Sequence, residues 1–147
     1  MHAANLTHCV QERRPFHIMS SPVAIITGAG SGVGRATALK FAREGWRVAI
    51  LGRRPDALAA TVAAAPEAVR GQFLVRPCDL GQAAAVNAIV TEVVKLWGRI
   101  DAVVNAAGTN IPKRSLAELS HADYAAVMDA NVNGVLYVVQ AVLPIMR

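Results

Sequence analysis

The chain has 147 residues, 54% of them hydrophobic and 5% aromatic, with a formal net charge of +5, which bounds it to about one domain long enough to bury a core. The positive excess is scattered, pairing only at Arg13/Arg14, Arg53/Arg54 and Lys113/Arg114, and the few aromatics form no stacking platform, which argues against a nucleic-acid partner. Cys9 and Cys78 are too few and too separated for a disulfide frame or metal site, and no run of about 18 apolar residues offers a membrane span.

Residues 1–18 show no periodic pattern and no apolar stretch suited to a secretory signal, and their mixture of Arg13 and Arg14 with Glu12 fits a mitochondrial presequence poorly. Asn5-Leu6-Thr7 matches a glycosylation acceptor, a chance match without a signal peptide. Two cysteines and no signal lead to the expectation of a reducing cytoplasm. The folded part is expected over 22–147, preceded by a leader over 1–21.

The apolar run over 23–26 reads as a strand. It leads straight into Thr27-Gly28-Ala29-Gly30-Ser31-Gly32-Val33-Gly34, and a helical pattern over 34–44 follows, stopped by Gly45. A strand ending in several glycines lets the backbone approach a pyrophosphate, and the helix behind it offers free N–H groups and a positive dipole end. A second strand is expected over 48–51. A helix over 56–65 follows Pro55, a residue suited to a first helical position, and stops before Pro66. A third strand over 73–75, a helix over 83–97 ending at Gly98, and a fourth strand over 100–104 come next. Ser120 with Asp123 resembles a capping box opening a last helix over 120–146, in which Asn131, Asn133 and Gly134 are poor helix formers. Short apolar runs alternating with helices predict an α/β fold of Rossmann type, a doubly wound parallel sheet in the order 3-2-1-4.

Thr27-Gly28-x-x-x-Gly32-x-Gly34, Cys78-Asp79-Leu80 after the third strand, Asn105-Ala106-Ala107-Gly108 closing the fourth, and Asn131 in the long helix together resemble the N-terminal half of a classical short-chain dehydrogenase/reductase. The resemblance covers residues 22–147. It implies that Thr27, Gly28, Gly30, Ser31, Gly32, Val33 and Gly34 form the cofactor turn, and that Asp79, with Leu80, meets the adenine edge. It further implies that Asn105, Ala106, Ala107 and Gly108 support the sheet and line the nicotinamide side, and that Asn131 organises a proton-relay water. Asp79 also reads as an ordinary helix cap, and Asn131 as a tolerated helix polar residue. In the family the fold begins almost where Met19 stands, so residues 1–21 are expected to be a disordered tail or a mis-assigned start.

The second strand ends Leu51-Gly52-Arg53-Arg54, with no carboxylate at its tip; the nearest is Asp56. An acidic side chain there would meet a ribose 2′-hydroxyl, whereas an arginine fork meets a 2′-phosphate. NADP(H) is therefore favoured over NAD(H), with Arg53 as first choice and Arg54 as second; either arginine could instead solvate a surface loop.

The family's serine and Tyr-x-x-x-Lys are expected beyond this segment, since Tyr124 is followed four residues on by Met128 and Tyr137 by Ala141. None of His2, His8, His17 and His121 suggests a replacement. The expectation is an oxidoreductase acting on a small alcohol or carbonyl substrate, represented by its cofactor-binding half and truncated after the fourth strand and the helix that follows. The alternative is a non-catalytic fragment that binds a dinucleotide or a partner. Residues 109–114 are the candidate substrate-facing loop, and the last helix over 125–143 is a candidate interface for a homo-oligomer. An open fourth strand leads to the expectation that the isolated chain is marginally stable, self-associating or partly molten.

Overall fold

The computed structural model describes residues 21–112 and 115–146. The expectations for the leader up to residue 20, for Cys9 and the first three histidines, and for Lys113 and Arg114 lie outside the described residues. Four strands, β1 (Val23–Thr27), β2 (Arg47–Gly52), β3 (Phe73–Pro77) and β4 (Ala102–Asn105), form one parallel sheet in the order β3-β2-β1-β4. Thr27 at the end of β1 is level with Leu51 on one side and Asn105 on the other, so the carboxyl ends of the two neighbouring strands come out together.

Both sheet faces are covered, which is why β1 is apolar at successive positions and buried along its whole length. Its pleat divides the core. Ala24 and Ile26 pack with Val48 and Ile50 against Ala38 and Ala42 of α1 (Gly32–Arg43) and Leu58 of α2 (Pro55–Ala63). Val23 and Ile25 point the other way, with Ala49 and Leu51. They meet Val86, Ile89, Val90 and Val93 of α4 (Ala83–Trp97), together with Val138 and Val142 near the carboxyl end of the chain. The apolar residues of α4 recur at helical spacing, and it ends at Gly98 in the left-handed region (φ 76°), as its sequence predicts.

Several boundaries depart from expectation. The second helix stops at Ala63, and the chain makes a further short helix, α3 (Glu67–Arg70). The Arg70 guanidinium donates to Ala63 O (2.9 Å) and Ala65 O (3.0 Å), supplying partners to carbonyls left open at the end of α2. Ile100 and Asp101 precede β4 rather than opening it. The Asp101 carboxylate instead accepts the Val23 N–H (2.8 Å), while its own N–H donates to Val23 O (2.8 Å), fixing the start of β1. The Arg99 guanidinium hydrogen-bonds this carboxylate and holds its pKa below the usual range, against an opposing effect of burial.

The last helix is continuous from His121 to Val142 but changes pitch: α5 (His121–Met128), one π-helical turn (Asp129–Asn133), then α6 (Gly134–Val142). The poor helix formers Asn131 and Asn133 therefore lie in the widened turn, and Gly134 directly follows it. Ser120 caps the start, its Oγ accepting the Asp123 N–H (3.0 Å). By length and composition this helix could cross a membrane, with mean hydropathy 1.2. Here it covers a sheet, packing beside α4 with Gly134, Val138 and Val142 buried. Its other side leaves Val132, Leu136 and Val139 exposed at spacings of four and three residues, and Leu143 and Met146, just past its end, are exposed as well.

Candidate dinucleotide site

A cavity of about 630 Å³ opens at the carboxyl ends of the strands. It lies where the chain reverses direction across the sheet, from β1–β2–β3 on one side to β4 on the other. Gly28, Gly30, Ser31, Gly32 and Val33 form one wall, and Arg53 and Arg54 project from the end of β2. Asp79 and Leu80 follow β3, while Ala106, Ala107 and Gly108 follow β4. The sequence-predicted residues thus come together from four separate loops. Thr27, Gly34, Asn105 and Asn131 stand outside the lining.

Thr27 and Gly34 shape the wall from behind. Thr27 is fully buried, and its Oγ1 accepts the N–H groups of Ala106 and Ala107 (3.1 Å each), tying the exit of β4 to the exit of β1. Gly28 has φ +64°, and a Cβ there would stand 2.6 Å from Ala106 O and Ala107 N. A Cβ on Gly34 would stand 2.5 Å from Gly28 O. The glycines therefore bring the turn down against β4 on one side and α1 on the other, at distances no side chain permits.

The chemistry of this wall suits an anion. Helix α1 begins inside the turn at Gly32, its capping residue Ser31 makes no side-chain cap, and its first turn holds no acidic residue. The first N–H groups of a helix have no internal partner, and the dipole adds positive potential there. Arg53 and Arg54 are exposed, and neither meets a carboxylate among the described residues. These features fit the phosphates of a dinucleotide.

Asp79 is exposed, and its Oδ1 accepts the Gly81 N–H (3.1 Å), a local turn leading into α4, whose capping position is Gln82. Leu80 is buried in the core beneath it. Cys78 lies at the cavity floor; burial, with a smaller contribution from the Asp79 charge, raises its thiol pKa and keeps it protonated at neutral pH.

Asn131 clamps the loop after β4. Its Oδ1 accepts the Thr109 N–H (2.7 Å) and its Nδ2 donates to Thr109 O (2.9 Å). Asn105, the last residue of β4, is exposed. Thr109 reaches the main cavity, and the loop beyond it borders a smaller one of about 180 Å³ with Asn110, Ile111, Leu119, Tyr124 and Val127.

Sequence reasoning passed over Ala57, Leu58 and Ala130 in the lining, and Arg35 and Thr61 behind it. Ala57 and Ala130 carry no chemical signal. Thr61 did carry one, a hydroxyl three residues after Leu58 on the core-facing side of α2.

An open parallel sheet with a glycine turn at its switch point is the architecture of a nucleotide-binding α/β domain. Residues 22–147 match the family profile described as short chain dehydrogenase, and the chain belongs to the short-chain dehydrogenase/reductase family. A 3beta-hydroxysteroid dehydrogenase of Mediterraneibacter gnavus is 38% identical over 116 residues, which are 78% of this chain and 41% of that protein. A short chain dehydrogenase from Bacillus anthracis superposes with a TM-score of 0.78 at 31% identity, covering 84% of this chain and 49% of that one. Two further similar structures carry cofactors. One is an actinorhodin polyketide ketoreductase with NADPH (TM-score 0.74, 32% identity, 84% of this chain and 46% of that one). The other is a 3-ketoacyl-(acyl-carrier-protein) reductase from Brucella melitensis with NADH (TM-score 0.76, 27% identity, 84% and 50%). The chain spans about half the length of the curated relatives it matches.

Proposed function

We propose that this chain is the cofactor-binding half of an NADP(H)-dependent oxidoreductase acting on a small alcohol or carbonyl compound. The observation that carries the cofactor choice is the arginine pair at the tip of β2. Arg53 and Arg54 border the same cavity as the glycine turn and have no carboxylate partner among the described residues. A guanidinium fork binds a 2′-phosphate with charge assistance, which a 2′-hydroxyl cannot supply. The nearest acid, Asp56, is in the first turn of α2, beyond the strand tip.

In this reading the turn from Gly28 to Gly34 and the amino end of α1 hold the diphosphate, and Arg53, seconded by Arg54, holds the 2′-phosphate. Asp79 and Leu80 border the adenine, while Ala106, Ala107 and Gly108 border the nicotinamide. The bound dinucleotide supplies the hydride acceptor or donor. Asn131 acts by positioning, holding Thr109 and the loop that leads to the smaller cavity. Neither Tyr124 nor Tyr137 has a lysine four residues on, so the chain alone binds the cofactor without turnover. The apolar stripe from Val132 to Met146 supports a homo-oligomer formed through the last helix. The free, buried Cys78 thiol suits a reducing cytoplasm.

Calorimetric titration of the chain with NADPH and NADH, repeated on Arg53→Ala, tests the cofactor assignment. The substitution is expected to weaken NADPH by about tenfold or more, the scale of one charge-assisted hydrogen bond, and NADH far less. Equal losses for the two would remove Arg53 from the site.

A further inference from the structure

Arg35 and Thr61 stand outside the cavity lining, yet both converge on the backbone of the glycine turn. Thr61 belongs to α2 and is fully buried. Its Oγ1 accepts from Arg35 Nε (3.1 Å) and lies 2.8 Å from Ala29 O and 3.0 Å from Ala57 O. Arg35, in the first turn of α1, also donates from Nη2 to Gly30 O (2.5 Å). A buried helix hydroxyl needs one partner, and the carbonyl four residues back already offers it. The hydroxyl, with a single proton to donate, nonetheless lies closer to Ala29 O than to Ala57 O, and with Arg35 on Gly30 O two successive carbonyls of the turn are held by side chains from two different helices.

A planar trans peptide points its N–H opposite its C=O. With Ala29 O and Gly30 O tied back towards α1 and α2, the N–H groups of Gly30 and Ser31 face the other way, and both of these residues line the cavity. In so glycine-rich a turn little resists the rotation of a peptide plane. A rotated plane would turn a carbonyl oxygen towards an anion, replacing attraction by repulsion.

We infer that Arg35 and Thr61 are positioning residues that lock the two peptide planes of the turn so that their N–H groups meet the diphosphate of a dinucleotide. This rests on the dinucleotide reading above. The diphosphate is common to NADPH and NADH, so loss of the lock weakens both by the same factor, unlike loss of Arg53. Thr61 is uncharged, so its removal leaves the electrostatics of the site in place.

The test is calorimetric titration of the chain and its Thr61→Val, Thr61→Ser and Arg35→Met variants with NADPH and NADH, with folding checked by circular dichroism. The lock predicts that Thr61→Val and Arg35→Met lose about tenfold for both dinucleotides, and that Thr61→Ser binds as the parent does. If Thr61→Val does not fold, Arg35→Met, altered on a partly exposed side chain, decides. Unchanged binding in the folded variants overturns the lock. So does a loss confined to NADPH, which would mean that α2 has moved and carried Arg53 and Arg54 with it. A parent chain that binds neither dinucleotide overturns the dinucleotide reading itself, and the lock with it.

Discussion

At the scale of single residues, the glycine turn was legible because glycine is informative where nothing else fits. Gly34 stands against the carbonyls of Gly28 and Thr27, so the Cβ of Gly34→Ala would press on backbone that has no room to yield. We expect a loss of about 3 kcal/mol in denaturant unfolding, at the upper end for overpacking. Asp101 was not legible, because its role depends on where β1 begins. Its lowered pKa means that the folded state favours the ionised carboxylate. The stability it contributes is complete above about pH 4, the usual carboxylate value, and is lost as pH falls through the lowered native value. Asp101→Asn should therefore cost about 1 kcal/mol at neutral pH and lose less stability on acidification than the parent, measured by urea titration at several pH values. Glu92, also lowered by its Arg76 partner, is 36% exposed and adds little.

At the scale of elements, the four strands and the long helices were readable from apolar runs and their glycine or proline stops. The short helix α3 was not, since four residues carry too little periodicity to separate them from a loop. In the last helix, Asn131, Asn133 and Gly134 signalled that propensity was being overridden, but not how. The cause is tertiary: the widened turn aims Asn131 at the backbone of Thr109. Asn131→Ala removes both bonds and leaves the Thr109 groups to find other partners. It should cost about 2 kcal/mol and speed amide exchange in the loop after β4 while leaving exchange in β1 and β2 unchanged. Uniform acceleration across the sheet would show that Asn131 supports the whole fold rather than this loop.

At the scale of the molecule, the sheet order followed from alternating strands and helices, and the site followed from that order. The closeness of Arg53 to the glycine turn is a product of parallel pairing between β1 and β2, where Thr27 lies level with Leu51. The smaller cavity was not legible, because Asn110, Ile111, Leu119, Tyr124 and Val127 around it belong to no motif. Among the described residues, the exposed stripe on the last helix and the outer edge of β4 present apolar surface and unpaired backbone to another chain. Sedimentation should show concentration-dependent association, and Leu136→Glu with Val139→Glu should shift the population towards monomer. Association unaffected by both changes would move the contact to the β4 edge.

Whether the cavity at the carboxyl ends of the strands holds NADP(H) can be read most directly from the backbone amide resonances of the chain during titration with NADPH. Saturable shifts are expected at the amides over 28–34, at Arg53 and Arg54 and at Asp79, with the largest changes at the start of α1. Shifts that fail to saturate, or that fall outside these loops, would contradict binding there.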